Sequence, residues 1–430
     1  MCIRDSYYLA RTGRPGPVEI DLPKDVSILE VTEINDPSLN LPHYHESEKA
    51  TDEQLQELLT ELSVSKKPVI IAGGGINYSG SVDIFRAFVE KYQIPVVSTL
   101  LGLGTIPISH ELQLGMAGMH GSYAANMALV EADYIINLGS RFDDRVVSNP
   151  AKFAKNAVVA HIDIDAAELG KIVKTDIPIL SDLKVALSRL LQLNKVKTDF
   201  NDWIKTVIEN KEKAPFTYEP QNHDIRPQET IKLIGEYTQG DAIIVTDVGQ
   251  HQMWVAQYYP YKNARQLITS GGMGTMGFGI PAAIGAKLAQ PNKNVIVFVG
   301  DGGFQMTNQE LALLNGYGIT IKVVLINNHS LGMVRQWQES FYEERRSQSV
   351  FDVEPNFQLL AEAYGIKHVK LDNPKTLADD LKIITEDEPM LIEVLISKSE
   401  HVLPMIPAGL HNDEMIGLHF TDKNEEVDHA

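Results

Sequence analysis

Short, almost wholly apolar runs alternate along this chain with segments whose apolar residues recur at helical spacing. After a polar, proline-containing stretch from Asn35 to Ala50, TDEQLQELLTELSVS reads as a helix and PVIIAGGG as a strand ending in glycines. VDIFRAFVEKYQ is then helical, IPVVSTLLG a strand, YAANMALVEAD helical, and YIINLGSRFDD and AVVAHIDID strands. SDLKVALSRLLQ closes the unit as a Ser-capped helix. A second polar segment holds one amphipathic helix before the alternation resumes at Ile225. DAIIVTDVG, QLITSGG, NVIVFVGDGG, KVVLINN, IKHVKLD and MLIEVLI are the strands of that half, separated by helical patterns. Apolar strands joined through helices require parallel sheets covered on both faces. The fold class is therefore α/β, with two doubly wound parallel-sheet domains at 36–195 and 225–400, a linker at 196–224 and a tail at 401–430. Residues 1–35 read as the remnant of a further domain, with VEIDLP as its last strand. MCIRDSYYLARTG carries no capping or turn signal before Tyr7, so a preceding domain is expected.

Composition narrows the function classes. A formal net charge of −19 argues against nucleic-acid or anionic-membrane binding, which needs clustered Lys and Arg. One cysteine, Cys2, leaves no internal disulfide framework. No apolar run approaches the ~18 residues of a membrane helix. A cytoplasmic, prokaryotic-type setting is expected.

Candidate chemistry gathers at three strand ends of the second half, where open parallel sheets hold ligands: TDVGQHQMW, SGGMGTMGFGIPAA and VGDGGF with INN. Gly272, Gly274 and Gly277 match G-x-G-x-x-G, which read alone suggests a nicotinamide dinucleotide. Asp301 argues otherwise, because it stands between Gly300 and Gly302, a backbone that admits a phosphate and a metal ion. Asp301 offers an anionic oxygen and Asn328 a neutral one from the ends of successive strands, a pairing suited to Mg2+ that keeps phosphate and water ligands. Amides of Gly302 and Gly303, and a helix starting near Thr307, would face the phosphates. Two unrelated turns are the competing reading, since G-D-G and N-N are common turn formers.

G-D-G followed by N-N at this spacing resembles the binding motif of thiamine-diphosphate (ThDP) enzymes. LGMAGMHGSYAAN, GSRFDDRVVSNPAKFA, GMVRQWQESFYEERRS and HVLPMIPAG together resemble the acetolactate synthase (acetohydroxyacid synthase) catalytic-subunit family, over nearly the whole chain. The resemblance implies Mg2+ held by Asp301, Asn328 and the carbonyl of Ser330. It implies ThDP along Val248, Gly249, Gln250, His251, Gly274, Gly302, Gly303, Met306, Asn328 and Met333, with Met276 the apolar support that bends the cofactor. It further implies a non-redox FAD in the middle domain, along Arg14, Gly73, Gly74, Gly75, Met119, His120, Gly139, Arg141, Asp163 and Asp182. Arg145 is implied at the substrate carboxylate and Trp337 at the second-substrate pocket.

The activity so implied is decarboxylation of pyruvate and transfer of its hydroxyethyl unit to pyruvate or 2-oxobutyrate, in valine, leucine and isoleucine biosynthesis. A homodimer or homotetramer and a small regulatory subunit are implied as partners. In this family the activating glutamate comes from the N-terminal domain of the neighbouring subunit, and no residue here matches it, so the chain alone is expected to be inactive. The alternatives are another ThDP-dependent oxidase or decarboxylase, or a non-catalytic FAD- or nucleotide-binding fragment.

Overall fold

A computed structural model describes residues 3–31, 39, 41, 44, 49–219 and 223–421. Most of the stretch 35–50, Cys2, residues 220–222 and residues 422–430 lie outside the described residues.

Two six-stranded sheets form the frame, and every strand pair in them is parallel. The first contains β1 (Pro68–Ala72), β2 (Val96–Ser98), β3 (Gln113–Met116), β4 (Tyr134–Leu138), β5 (Val158–Asp163) and β6 (Ile177–Leu180), in the order β3-β2-β1-β4-β5-β6. The second contains β7 (Ile243–Thr246), β8 (Leu267–Thr269), β9 (Val295–Gly300), β10 (Lys322–Asn327), β11 (Lys367–Leu371) and β12 (Met390–Leu395), in the order β11-β12-β10-β9-β7-β8. Central strands are apolar because helices cover both faces. Every residue of β1, β4 and β10 is buried. The helix Asp52–Val64 shows how local and global signals agree. Thr51 and Gln54 form a reciprocal capping box at its start, and Leu55, Leu58, Leu59 and Leu62 present one stripe to the core, each fully buried. Burial of that order contributes about 1.5–3 kcal/mol per leucine.

Strand order sets where a ligand can sit. In the first sheet, β1 leads through β2 to β3 on one side, whereas β4, β5 and β6 run out on the other. The chain therefore reverses direction between β1 and β4, which opens a crevice at their carboxyl ends, and this order is that of dinucleotide-binding sheets. In the second sheet the reversal falls between β7 and β9. The two halves are packed together. Arg265 donates to the Asn77 carbonyl at 2.6 Å and 3.1 Å, Arg86 to that of Lys262 at 3.4 Å, and Leu103 and Met116 join the core of the second half.

Several expectations need correction. VEIDLP belongs to neither sheet and finds no neighbouring strand among the described residues. β3 and β6 escape the pattern because each is short and interrupted. Gly115 in β3 has φ 106° beside a register shift, and Pro178 in β6 sits on an edge strand, where a missing N–H is tolerated. The helix Leu183–Gln192 is capped by Asp182, not Ser181: its Oδ1 accepts from the N–H groups of Lys184 and Val185 at 2.8 Å and 3.2 Å. The phosphate-facing helix spans Asp301–Thr307, so it ends rather than begins at Thr307.

Candidate active site

β9 and β10 are neighbours in register, so the residues following them, Asp301 and Asn328, emerge side by side. Asp301 opens its helix and is 1% exposed. Its Oδ1 accepts from the Gly302 N–H at 2.8 Å and its Oδ2 from the Ser330 N–H at 3.0 Å. The Oδ1 of Asn328 accepts from the Ser330 hydroxyl at 3.0 Å. Ser330 forms an antiparallel bridge with Val350, flanked by Leu331 N–H to Ser349 O at 2.8 Å and Phe351 N–H to His329 O at 2.9 Å. In such a non-hydrogen-bonded pair, the N–H and C=O of Ser330 both face away from the partner segment, on the side where Asp301 lies. An anionic oxygen, an amide oxygen and a peptide carbonyl thus converge, a hard-cation donor set. Among the described residues no cluster of three His, Cys, Asp or Glu competes with it for a metal. Burial, with the Glu354 carboxylate nearby, pushes Asp301 up to about 7 against the opposing Gly302 and Ser330 amides. A cation there offsets that penalty.

Next to this donor set lies a cavity of about 70 Å3, walled by the ends of β7, β9 and β10. Val248, Gly249, Gln250, His251, Met276, Gly302, Gly303 and Met333 all line it. Its glycines let neighbouring side chains come close. A Cβ on Gly303 would fall 2.5 Å from Asp247 Oδ1, and one on Gly302 would fall 2.6 Å from the Leu331 side chain and 3.6 Å from Met276 Cε. The His251 ring is clamped between Gly249 and Gly300, where an added Cβ would come within 3.2 Å. Its Nε2 is buried without a partner. An unpaired ring nitrogen on a residue that lines a glycine-walled cavity marks a place for a ligand's hydrogen bond.

Burial pulls His251 down to about 4, against the Asp247 charge and carbonyl. The unfolded ring takes up its proton near 6.5, so the unfolded state binds more protons as pH falls and stability is lost on the way to pH 4. His251→Gln in the ligand-free chain is therefore expected to remove about 2 kcal/mol of the stability lost between pH 7 and pH 5. Urea unfolding of both proteins at the two pH values measures this; parallel pH profiles would contradict it.

Gln250, expected from the sequence at ThDP, lines the cavity and also holds its neighbours. Its side chain accepts from Asn328 Nδ2 at 3.0 Å and donates to Gln336 Oε1 at 2.8 Å and the Glu400 carbonyl at 2.9 Å, so it orients Asn328. Gly274 and Met306 do not line the cavity; Met306 is half exposed and packs against Gly277. Asp247 is the residue that sequence reasoning missed. Fully buried, it accepts from the N–H groups of Val248 at 2.9 Å, Gly277 at 3.0 Å and Gly279 at 2.8 Å, which pins the glycine-rich loop to the end of β7. Its signal was the acid of TDVG at a strand end, the same placement as in GDGG.

The β1/β4 crevice is built by backbone contact. The Gly73 N–H donates to the Leu138 carbonyl and the Gly75 N–H to that of Gly139, both at 3.0 Å. Gly74 follows at the same turn, and a Cβ on it would meet Leu101 at 3.1 Å. Asp163 ends β5, its Oδ1 accepting from the Asp165 N–H at 2.9 Å, and Arg14 pairs with Asp165 and Glu168 at 3.0 Å each. Arg141 pairs with Asp143 at 3.6 Å. Leu183, beside the cap Asp182, reaches Gly139.

Met119, His120 and Arg145 meet where the two halves join. The Met119 N–H donates to the Arg145 carbonyl at 2.8 Å, and the Arg145 guanidinium lies 3.5 Å from Met119 Sδ. Burial pulls His120 down to about 4, and its Nδ1 has no partner. The HVLPMIPAG segment ties this corner to the second half. Ile406 N–H donates to Met119 O at 2.8 Å, Val402 N–H to Gln336 Oε1 at 2.9 Å, and Gln257 Nε2 to His120 O at 3.1 Å. Trp337 is half buried, with its ring edge-on to Phe341 at 5.3 Å.

Comparison with known proteins agrees with this geometry. Residues 55–190 match the model of the thiamine pyrophosphate enzyme central domain, and residues 247–394 that of the thiamine pyrophosphate enzyme C-terminal TPP binding domain. The acetolactate synthase large subunit of Lactococcus lactis subsp. lactis is 96% identical over 428 residues, covering 100% of this chain and 74% of that protein. The chain belongs to the acetolactate synthase large-subunit family. Family members from distant sources align as well. Isozyme 3 large subunit of Escherichia coli is 39% identical over 96% of this chain and 74% of its own length, and chloroplastic acetolactate synthase 1 of Nicotiana tabacum 43% identical over 95% and 63%. The GDGG and INN strand ends lie inside the region matched by the family's TPP binding domain. Among the described residues no helix is long and apolar enough to cross a membrane.

Proposed function

We propose that the chain makes acetolactate: pyruvate is decarboxylated and its hydroxyethyl unit is passed to a second 2-oxoacid, pyruvate or 2-oxobutyrate. The observation that carries this reading is that Asp301, Asn328 and the Ser330 backbone lie together at the ends of β9 and β10, next to the β7/β9 reversal and the unpartnered Nε2 of His251. The family's cofactors are ThDP, Mg2+ and FAD. On this reading Asp301, Asn328 and the Ser330 carbonyl hold Mg2+, while His251 and the Gly302 and Gly303 amides hold the diphosphate. Met276, overhanging Gly302, supports the cofactor rings without a competing polar atom. When bound, ThDP would supply a carbon nucleophile for the 2-oxoacid carbonyl and a cationic ring to take up the electron pair released with CO2.

The chain's own contribution is then positioning and exclusion of water. Asp247 fixes the glycine-rich loop, Gln250 fixes Asn328, and the HVLPMIPAG segment closes the corner around Met119, His120 and Arg145. Arg145 is assigned to the 2-oxoacid carboxylate and Trp337 to acceptor choice. Residues 36–195 form the flavin domain, where FAD lies along the β1/β4 crevice, and 225–400 the diphosphate domain. A homodimer or homotetramer, a small regulatory subunit and a cytoplasmic setting complete the proposal.

Product analysis tests it. The chain, alone and joined to the remainder of the Lactococcus relative, is supplied with pyruvate, ThDP, Mg2+ and FAD. Acetolactate supports the proposal; acetaldehyde alone, or no product from the joined protein, overturns it.

A further inference from the structure

His161 is a polar side chain in an apolar place. It lies in the middle of β5, is fully buried, and neither ring nitrogen has a hydrogen-bond partner. Its direct neighbour across the sheet is Asn137 on β4, which therefore shares its face and whose Oδ1 is likewise unpartnered. An unsatisfied buried polar group costs about 1–3 kcal/mol, so the fold retains two of them at this spot against a cost.

What surrounds the pair gives them a task. Asn137 Nδ2 donates to the Ser140 carbonyl at 2.6 Å, tying down the turn that leaves β4. That turn is strained, since Phe142, a bulky residue, has φ 52° two residues after Ser140. The Phe142 ring is held edge-on between Phe153, with centroids 5.9 Å apart, and His161, with centroids 5.2 Å apart. On its other side the His161 Nε2 lies 3.6 Å from Asp163 Oδ2, two residues along the same strand face. One imidazole thus meets two features on the β4 side of the crevice, the 139–142 turn and the Asp163 carboxylate. A few tenths of an ångström of movement converts the 3.6 Å approach into a hydrogen bond.

We propose that His161 is a positioning residue for the flavin site, bracing Phe142 with its ring and aiming the Asp163 carboxylate with Nε2–H. The inference rests on the assignment of FAD to the β1/β4 crevice. Partners of this kind behind a ligand-binding group alter affinity by roughly 10–100-fold when removed.

Flavin titration, read by quenching of free FAD fluorescence, tests it with no reference to turnover. His161→Phe keeps the ring and its packing but removes Nε2–H; it is expected to weaken FAD binding about tenfold while the melting temperature of the flavin-free chain stays the same or rises. His161→Gln retains a side-chain N–H and is expected to keep most of the affinity, and it serves as the informative variant if the phenylalanine protein fails to fold. In a cycle with Asp163→Ala, the double variant is expected to bind no worse than Asp163→Ala alone, because His161 acts through that carboxylate. Wild-type affinity in His161→Phe, equal losses in the Phe and Gln variants, or losses that multiply in the double variant would overturn the proposal. If the wild-type chain takes up no FAD, the crevice assignment falls, and this inference with it. If it binds FAD and Asp163→Ala weakens binding while His161→Phe does not, only the inference falls.

Discussion

Asp301→Asn is expected to weaken Mg2+-dependent ThDP binding at least about 100-fold while leaving the ligand-free fold intact. The substitution preserves shape but removes the only charge in a donor set otherwise made of an amide and a peptide carbonyl. It also turns an acceptor into a donor. Both carboxylate oxygens of Asp301 now accept, from the N–H groups of Gly302 and Ser330, so an amide NH2 in either place faces another donor and must rotate. A cation that dehydrates as reluctantly as Mg2+ gains little from neutral oxygens alone, and losing its anionic ligand costs roughly two orders of magnitude or more in affinity. Folding stability should change little, because relief of a buried carboxylate pushed up to about 7 is offset by the amide donor that now faces a backbone N–H. Calorimetric titration of Mg2+ and ThDP into both proteins, with thermal melts of the ligand-free forms, separates the two effects. An affinity within threefold of wild type would remove Asp301 from the metal site.

How much of this was legible beforehand depended on whether a signal was local. Most strands of the second half stood out as apolar runs bounded by turn formers, although β11, KHVKL, is largely polar. β3 and β6, with their glycine and proline, carry too little pattern to be seen until their neighbours are known. That GDGG and INN bring Asp301 and Asn328 together was readable because adjacent strand ends carry both residues. Asp247 was not, since its role is to hold a loop thirty residues further on through backbone N–H groups, and nothing in TDVG states which loop. Gln250 lay in a recognisable segment, yet its side chain orients Asn328 and meets Gln336 and Glu400, partners set only by tertiary packing. His161 reads as one polar residue in an apolar strand, and its neighbours Asn137 and Phe142 are supplied by sheet register and a strained turn.

Gly73→Ala is expected to cost at least about 3 kcal/mol of stability and to abolish flavin binding. Most glycine positions tolerate a methyl group by small movements of nearby side chains, but the two atoms nearest Gly73 are backbone. A Cβ there would fall 2.1 Å from the Gly139 carbonyl oxygen, 2.5 Å from its carbon and 2.7 Å from Ser140 Cβ. Gly73 does not have a positive φ, so the penalty is one of contact between β1 and β4 and not of local conformation. Relief requires separating two strand ends joined by Gly73 N–H to Leu138 O and Gly75 N–H to Gly139 O, each at 3.0 Å. Forced overpacking of this kind costs 1–3 kcal/mol where side chains can yield, and more where they cannot. Gly74→Ala is the internal comparison, because its Cβ would meet Leu101 Cβ at 3.1 Å and needs a shift of only a few tenths of an ångström; about 1 kcal/mol or less is expected. Urea unfolding of the two variants beside wild type measures the difference, and equal midpoints for the two would mean that the β1/β4 ends are not locked together. The same contact forms both the core edge and the floor of the crevice, so stability and FAD affinity must fall together at Gly73. At His161 they are expected to separate, which distinguishes a residue that builds the crevice from one that aims a group within it.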